Sequence, residues 1–234
     1  MRFRWVASNI AQSWAAQDPA AALSWAQQHS DGDGFAGAIM GAVMGWWTKD
    51  HTAAEAYVLA HLNENRGLAT SLVSYIYQRD PDRAKAWVNE LPNLETRRVA
   101  NNMLTMQMAF NDPKGASQWA AALPDDVRQQ SLSAAVTYWA SSDLTATGQW
   151  INSLTGTPRD EAATAYTYTL LRKDPATAAS WAMTINDPAS RNSALQTVAL
   201  QWLGKDSQQA AAWIQSTALP DDQKQRLLAL APKH

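Results

Sequence analysis

Trp14-Ala-Ala-Gln-Asp18-Pro19-Ala-Ala-Ala22-Leu-Ser-Trp25 is the stretch whose reading decides the fold. It joins the end of one helix, a helix-start signal and the first two turns of the next. An aspartate carboxylate accepts the orphan N–H groups of a first helical turn, and a proline directly after it loses no hydrogen bond there. The rest of the chain repeats this device.

The same aspartate recurs as Asp18, Asp50, Asp80, Asp112, Asp143, Asp174 and Asp206, at spacings of 32, 30, 32, 31, 31 and 32 residues. Self-similarity at a fixed period of this size is the signature of stacked helical or strand repeats. Seven residues after each anchor stand Trp25, Tyr57, Trp87, Trp119, Trp150, Trp181 and Trp213; four residues before it stand Trp14, Trp46, Ile76, Met108, Trp139, Leu170 and Trp202. Ten of the twelve tryptophans occupy these two registers, so most of the tryptophan is packing. Arg97, Arg128, Arg159 and Arg191 precede their anchors by fifteen residues, with Arg66 one residue out of step.

Working outward, each period predicts a short helix after the aspartate and a longer one before the next. In the short helix Ala116, Trp119, Ala120 and Leu123 form one apolar stripe. In the long helix Ala194, Leu195, Val198, Ala199, Trp202 and Leu203 form a wider one, which suits a helix covered on two sides. Alternation of large Trp with small Ala lets neighbouring helices interdigitate. The pattern predicts helices over 4–16, 19–29, 35–48, 51–62, 67–78, 81–91, 95–110, 113–122, 125–141, 144–154, 158–172, 175–185, 188–204, 207–217 and 220–230. Leu123-Pro124-Asp125-Asp126 and Leu219-Pro220-Asp221-Asp222 close a short helix and open a long one with an acidic first turn, which the helix dipole favours. Ser30-Asp31-Gly32-Asp33-Gly34 reads as a loop, and Gly156-Thr157-Pro158 as a milder one.

Composition fits an ordinary soluble chain of 234 residues, with 46% hydrophobic residues and a net charge of -2. Near-neutral charge without a basic run argues against nucleic acid, which requires clustered Lys or Arg. No apolar run approaches the roughly 20 residues that span a bilayer, and Met1-Arg-Phe-Arg leads straight into a helix and not into a signal peptide. The absence of cysteine excludes disulfides and thiolate metal sites. A cysteine-free chain rich in Asn, Gln, Ser and Thr leans towards a bacterial extracytoplasmic setting.

Helix pairs at a period near 31 residues with small-large packing positions resemble the tetratricopeptide and Sel1-like superfamily of α-solenoids, and the Trp-x3-Asp-Pro-x2-Ala-x2-Trp unit looks like repeats of uncharacterised bacterial proteins. The period is shorter than the 34 residues of tetratricopeptide repeats, and their Leu-Gly and Tyr elements are missing. The resemblance implies an all-α superhelix of about seven helix hairpins over residues 1–234, with a peptide or protein bound in a curved groove. Phe3, Trp5, Val6 and Ile10 leave the N-terminal end open, so that the array continues upstream or self-associates there; helix 220–230 reads as a C-terminal cap.

Little in the chain points to catalysis or to a cofactor. The anchor aspartates read as caps, and the repeated arginines as a ladder paired with the anchor aspartate of an adjacent period. His29 and His61 are equivalent positions one period apart, too distant to share a metal. Asp31-Gly-Asp33-Gly resembles the start of a calcium loop but lacks the remaining oxygens and the distal Glu. Glu55, Glu64, Glu90, Glu95 and Glu161 are scattered, and nothing pairs them for glycoside hydrolysis.

The stronger signal is the side of each long helix opposite its buried stripe. There one helix gives Val99, Met103, Met106 and Phe110, and another gives Gly37, Gly41, Met44 and Thr48, where glycines lower the surface beside the methionine. Tyr75, Tyr138, Tyr168 and Leu200 recur near the same level. Flexible methionine beside aromatic groups suits an adaptable peptide-binding surface. The expectation is a non-catalytic scaffold whose long helices line a concave face, with Met44, Met103, Met106 and Phe110, rimmed by Asn102 and Gln107, holding a partner segment. A structural or self-assembling spacer and a carbohydrate-binding or carbohydrate-active protein are the alternatives.

Overall fold

A computed structural model describes residues 2–29, 37–62, 64, 66–217 and 219–230, with the side chains of residues 2–4 and 66 outside that description. The Asp31–Gly34 loop and the side chains of Phe3 and Arg66 therefore lie outside the described residues. Among those described the fold is all-α, with fifteen helices: α1 (Arg2–Ala15), α2 (Pro19–Gln28), α3 (Ala38–Lys49), α4 (His51–Ala60), α5 (Arg66–Tyr77), α6 (Pro81–Glu90), α7 (Leu94–Asn111), α8 (Pro113–Ala121), α9 (Asp125–Ser142), α10 (Leu144–Ser153), α11 (Gly156–Leu171), α12 (Pro175–Met183), α13 (Pro188–Leu203), α14 (Ser207–Ser216) and α15 (Asp221–Ala229). None of them is long and apolar enough to cross a membrane. Each falls within a few residues of its expected span. Where α12 stops short of the expectation, Thr184 and Ile185 donate to the carbonyls of Trp181 and Ala182, tightening the last turn into i→i+3 bonds.

The anchors behave alike. Asp18, Asp50, Asp80, Asp112, Asp143, Asp174 and Asp206 each accept the backbone N–H three residues on, at 2.8–3.1 Å. Around four of the anchors, Asp18, Asp50, Asp143 and Asp206, the flanking aromatic groups meet. Trp14 lies 6.2 Å from Trp25, Trp46 5.7 Å from Tyr57, Trp139 5.5 Å from Trp150 and Trp202 5.5 Å from Trp213, centroid to centroid. The residue four before the cap and the one seven after it thus lock the helix-to-helix turn from both sides.

The repeated arginines do a different job from the one expected. Arg97, Arg128 and Arg191 donate to the carbonyls of Leu91, Leu123 and Ile185, at 3.4, 3.3 and 2.8 Å. These carbonyls stand at the open end of the preceding short helix, where a cation satisfies orphan acceptors and the negative end of the dipole. Arg159 reaches instead to Thr184, and none of the four pairs with an anchor aspartate in these bonds. His29 and His61 serve a similar end: each ring nitrogen lies 2.8 Å from the carbonyl four residues back, and the rings pack on Trp25 and Tyr57.

The chain forms two compact units, Met1–Leu104 and Thr105–His234. In the first, α1 and α3 approach closely because Gly41 and Gly45 face the backbone of Ser8 and Gln12; a Cβ at either glycine would come within 2.0 Å of a carbonyl oxygen. An alanine-rich core of Ala7, Ala11, Ala15, Ala22, Ala26, Ala38 and Ala42 joins α1, α2 and α3. Further on, Glu55 is buried with Trp47 Nε1 at 3.0 Å and Arg83 Nε at 3.0 Å as its donors. In the second unit the long helices α9, α11 and α13 pack side by side, α8, α10, α12 and α14 lie against them, and α15 packs on α13 and α14.

Candidate functional site

The residues singled out in the sequence divide between the two compact units. Met44, Tyr75, Val99, Asn102 and Met103 belong to the first, and Met106, Gln107, Phe110, Tyr138 and Tyr168 to the second. In the first unit the expected surface is partly consumed by packing. Tyr75 is buried: its hydroxyl accepts from Gln12 Nε2 at 3.2 Å, Trp47 meets its ring edge-on, and the Arg79 guanidinium stands 3.6 Å above it. It is a core residue and not a contact surface. Gly41 is likewise buried against α1, so it does not open a floor beside Met44, which is half-buried. Asn102 and Met103 are half-buried, and Val99 is exposed.

The second unit presents a consistent surface. Six residues before their anchors stand Met106, Thr137, Tyr168 and Leu200, all exposed. Thr137, Tyr168 and Leu200 occupy this register on the three adjacent long helices α9, α11 and α13. Thr169 Oγ1 lies 3.5 Å from Thr137 Oγ1 and joins α9 to α11 at this level. Phe110 is exposed, and Gln107 and Tyr138 are half-buried.

A polar groove follows the seam of α9 and α11. Gln129, Ser133, Thr137 and Ser141 are successive turns of α9, and Glu161, Thr164, Tyr168 and Arg172 succeed one another along α11. Two hollows mark its course. One, of about 520 Å³, includes Gln129, Ser133, Asp160, Glu161, Thr164 and Asp187 in its lining. The other, of about 540 Å³, is lined by Thr137, Ser141, Tyr168, Thr169, Arg172 and Lys173. Tyr168, 39% exposed, stands where the apolar row crosses the groove.

The two ends differ in charge. At the helix starts, Asp160 accepts from the backbone N–H groups of Asn186 and Asp187 at 3.0 and 2.8 Å, from Asn186 Nδ2 at 3.1 Å and from Arg159 at 3.3 Å. Burial, the largest single influence, pushes its carboxyl up, but the Asn186, Asp187 and Arg159 donors together hold it below the ordinary value. Glu161 accepts from Arg128 Nε at 2.8 Å, and Arg128 also holds Asp125 at 2.5 Å. Asp187 caps α13 through the Ser190 N–H at 2.7 Å, and hydrogen bonds from Ser190 lower its carboxyl as well. At the helix ends Arg172 and Lys173 are exposed. Asp160, Arg172 and Lys173 were not singled out from the sequence. The Arg159-Asp160 pair recurs in no other period, and that irregularity was the available signal.

Chemically, the arrangement offers hydroxyl and amide groups, one aromatic ring and fixed charges at the two ends. Its buried acid is saturated by donors, and no three His, Asp or Glu side chains among the described residues gather around a metal-sized space. The chain matches no protein-family model, and comparison with curated proteins and with solved structures gives no significant match.

Proposed function

We propose that the protein is a non-catalytic interaction scaffold and that the long-helix face of its second compact unit binds an extended segment of a protein or peptide. The carrying observation is the exposed row Thr137, Tyr168 and Leu200 crossing a hydroxyl-lined groove with acids at one end and Arg172 and Lys173 at the other. Apolar side chains of a partner would rest on the row, with its main chain hydrogen-bonded to Ser, Thr and Gln of the groove. Opposed charges would select its direction.

The helix pairs are read here as turns of an α-solenoid. Within the second unit, long helices approach one another closely, whereas between α10 and α12 a single large side chain, Trp181, fills the space up to Gly148. Such spacing would curve the long-helix layer inward and place the row on a concave face.

The test is panning of random 12-residue peptides against the full chain, followed by anisotropy titration of the selected peptides. Affinity is expected to fall at least tenfold in both Tyr168→Ala and Arg172→Glu, at unchanged melting temperature. Peptides indifferent to both substitutions, or no selection above background, would overturn the assignment.

A further inference from the structure

Most lysines and arginines of this chain are engaged by its own groups. Arg97, Arg128 and Arg191 hold helix-end carbonyls, and Arg83 is shared between Glu55 and Glu90. Lys49 and Lys205, each directly before an anchor aspartate, donate to the carbonyls of Gln17 and Lys173, one period back. Among the described side chains three cations make no hydrogen bond or ion pair: Lys114, Arg172 and Lys173. Two of the three line one hollow. Lys173 stands in the register of Lys49 and Lys205, yet makes no such bond to Ser142. The remaining lining is Thr137, Ser141, Tyr168 and Thr169, without an acid. The carboxylates nearest in sequence, Asp143 and Asp174, are caps held by the N–H groups of Ala146 and Thr177. At the other end of the groove Asp160 and Glu161 are held by Asn186, Asp187, Arg159 and Arg128, and Asp187 caps α13. The charge that the groove leaves unmatched is therefore positive.

We propose that the hollow at Arg172 and Lys173 receives an acidic side chain of the bound segment, and that the segment carries Asp or Glu two residues from a large apolar residue. This rests on the segment-binding reading of the groove. Arg172 keeps helical backbone angles, φ −70° and ψ −30°, one residue past α11, so it projects on the same side as Tyr168 one turn earlier. Side chains four apart on a helix stand about 5–6 Å apart at Cβ, and an extended segment turns every second side chain to one side at about 7 Å spacing. An apolar group resting on Tyr168 thus sets the side chain two positions along against Arg172. A guanidinium takes a carboxylate through two parallel N–H bonds, and Lys173 adds a point charge. The hollow lies at the C-terminal ends of α9 and α11, and no residue of the following short helices lines it. The dipoles of the long helices oppose a second negative charge there, so a singly charged carboxylate suits the place better than a dianionic phosphate.

The test pans one library of random 12-residue peptides on the full chain and, in parallel, on the full chain carrying Arg172→Ala with Lys173→Ala. Neither side chain touches a protein group, so the double variant is expected to melt with the unaltered chain. Peptides from the unaltered chain are expected to be enriched in Asp or Glu two residues from Leu, Ile, Met or Phe, and those from the double variant are not. In anisotropy titrations of the selected peptides, Glu→Gln or Asp→Asn at that position is expected to weaken binding at least tenfold on the unaltered chain and less than twofold on the double variant. Phosphoserine in place of the acid is expected to bind no more tightly. Peptides that depend on Tyr168 but tolerate neutralisation of every acid would overturn this inference and leave the segment reading standing. Loss on amidation of the peptide's C-terminus alone would assign the hollow to a chain end, and tenfold tighter phosphoserine binding would assign it to phosphate; each overturns the proposal. No selection from either panning would overturn the segment reading, and this inference with it.

Discussion

Asp160 shows how one side chain can look like a catalytic acid and act as a clasp. Its four donors come from the turn ahead of α13 and from Arg159, so the carboxylate ties α11 to the start of α13. A depressed folded-state value means that its stabilisation is whole above the ordinary value of 3.8 and is lost as pH falls through the lower folded value. Asp160→Asn is expected to cost about 1–3 kcal/mol at pH 7. Urea titrations should show that deficit narrowing below about pH 4; a deficit independent of pH would contradict the clasp. Ser131 is the opposite case. Its hydroxyl is buried and hydrogen-bonded to no protein atom, in a register where other periods place alanine at Ala38, Ala100, Ala162 and Ala194. Ser131→Ala is expected to stabilise by about 0.5–1 kcal/mol, read as a higher denaturation midpoint with unchanged slope.

Among the elements, α3 depends on backbone proximity more than on side-chain volume. Gly45 faces the Gln12 carbonyl and the Ala15 side chain, and a methyl group there would force α1 and α3 apart. Gly45→Ala is expected to destabilise by about 1–3 kcal/mol despite alanine's better helix propensity, as measured by thermal or urea unfolding. A neutral or stabilising result would show that the pair relaxes freely. Helix positions and starts were legible in the sequence because caps are local chemistry: an aspartate, a proline and the next turn's N–H groups lie within four residues. Arginine's role was only half legible. Its recurrence marked it as structural, but its acceptor is a carbonyl at the end of the preceding helix, and a carbonyl carries no residue-type signature.

At the scale of the molecule, the surface was harder to read than the core. Tyr75 and Gly41 lie on the helix side expected to be open, yet one is enclosed by Gln12, Trp47 and Arg79 and the other is pressed against Ser8. Helical periodicity tells which residues share a face, and tertiary neighbours decide whether that face meets water. Tyr168 and Leu200 share a register with Thr137 and are exposed in step with it. Arg172 and Lys173 entered the candidate site only once α9 and α11 were seen side by side.

The account rests on the seven spaced aspartates being caps that start the short helices, with no chemical role of their own. Alanine replacing each in turn, with melting temperature and peptide binding measured on every variant, tests it most directly. Loss of one cap is expected to cost about 1 kcal/mol, lowering the midpoint by about 2–4 °C. Asparagine should restore most of it, and peptide affinity should stay unchanged. An anchor whose replacement left stability intact but abolished binding would contradict it.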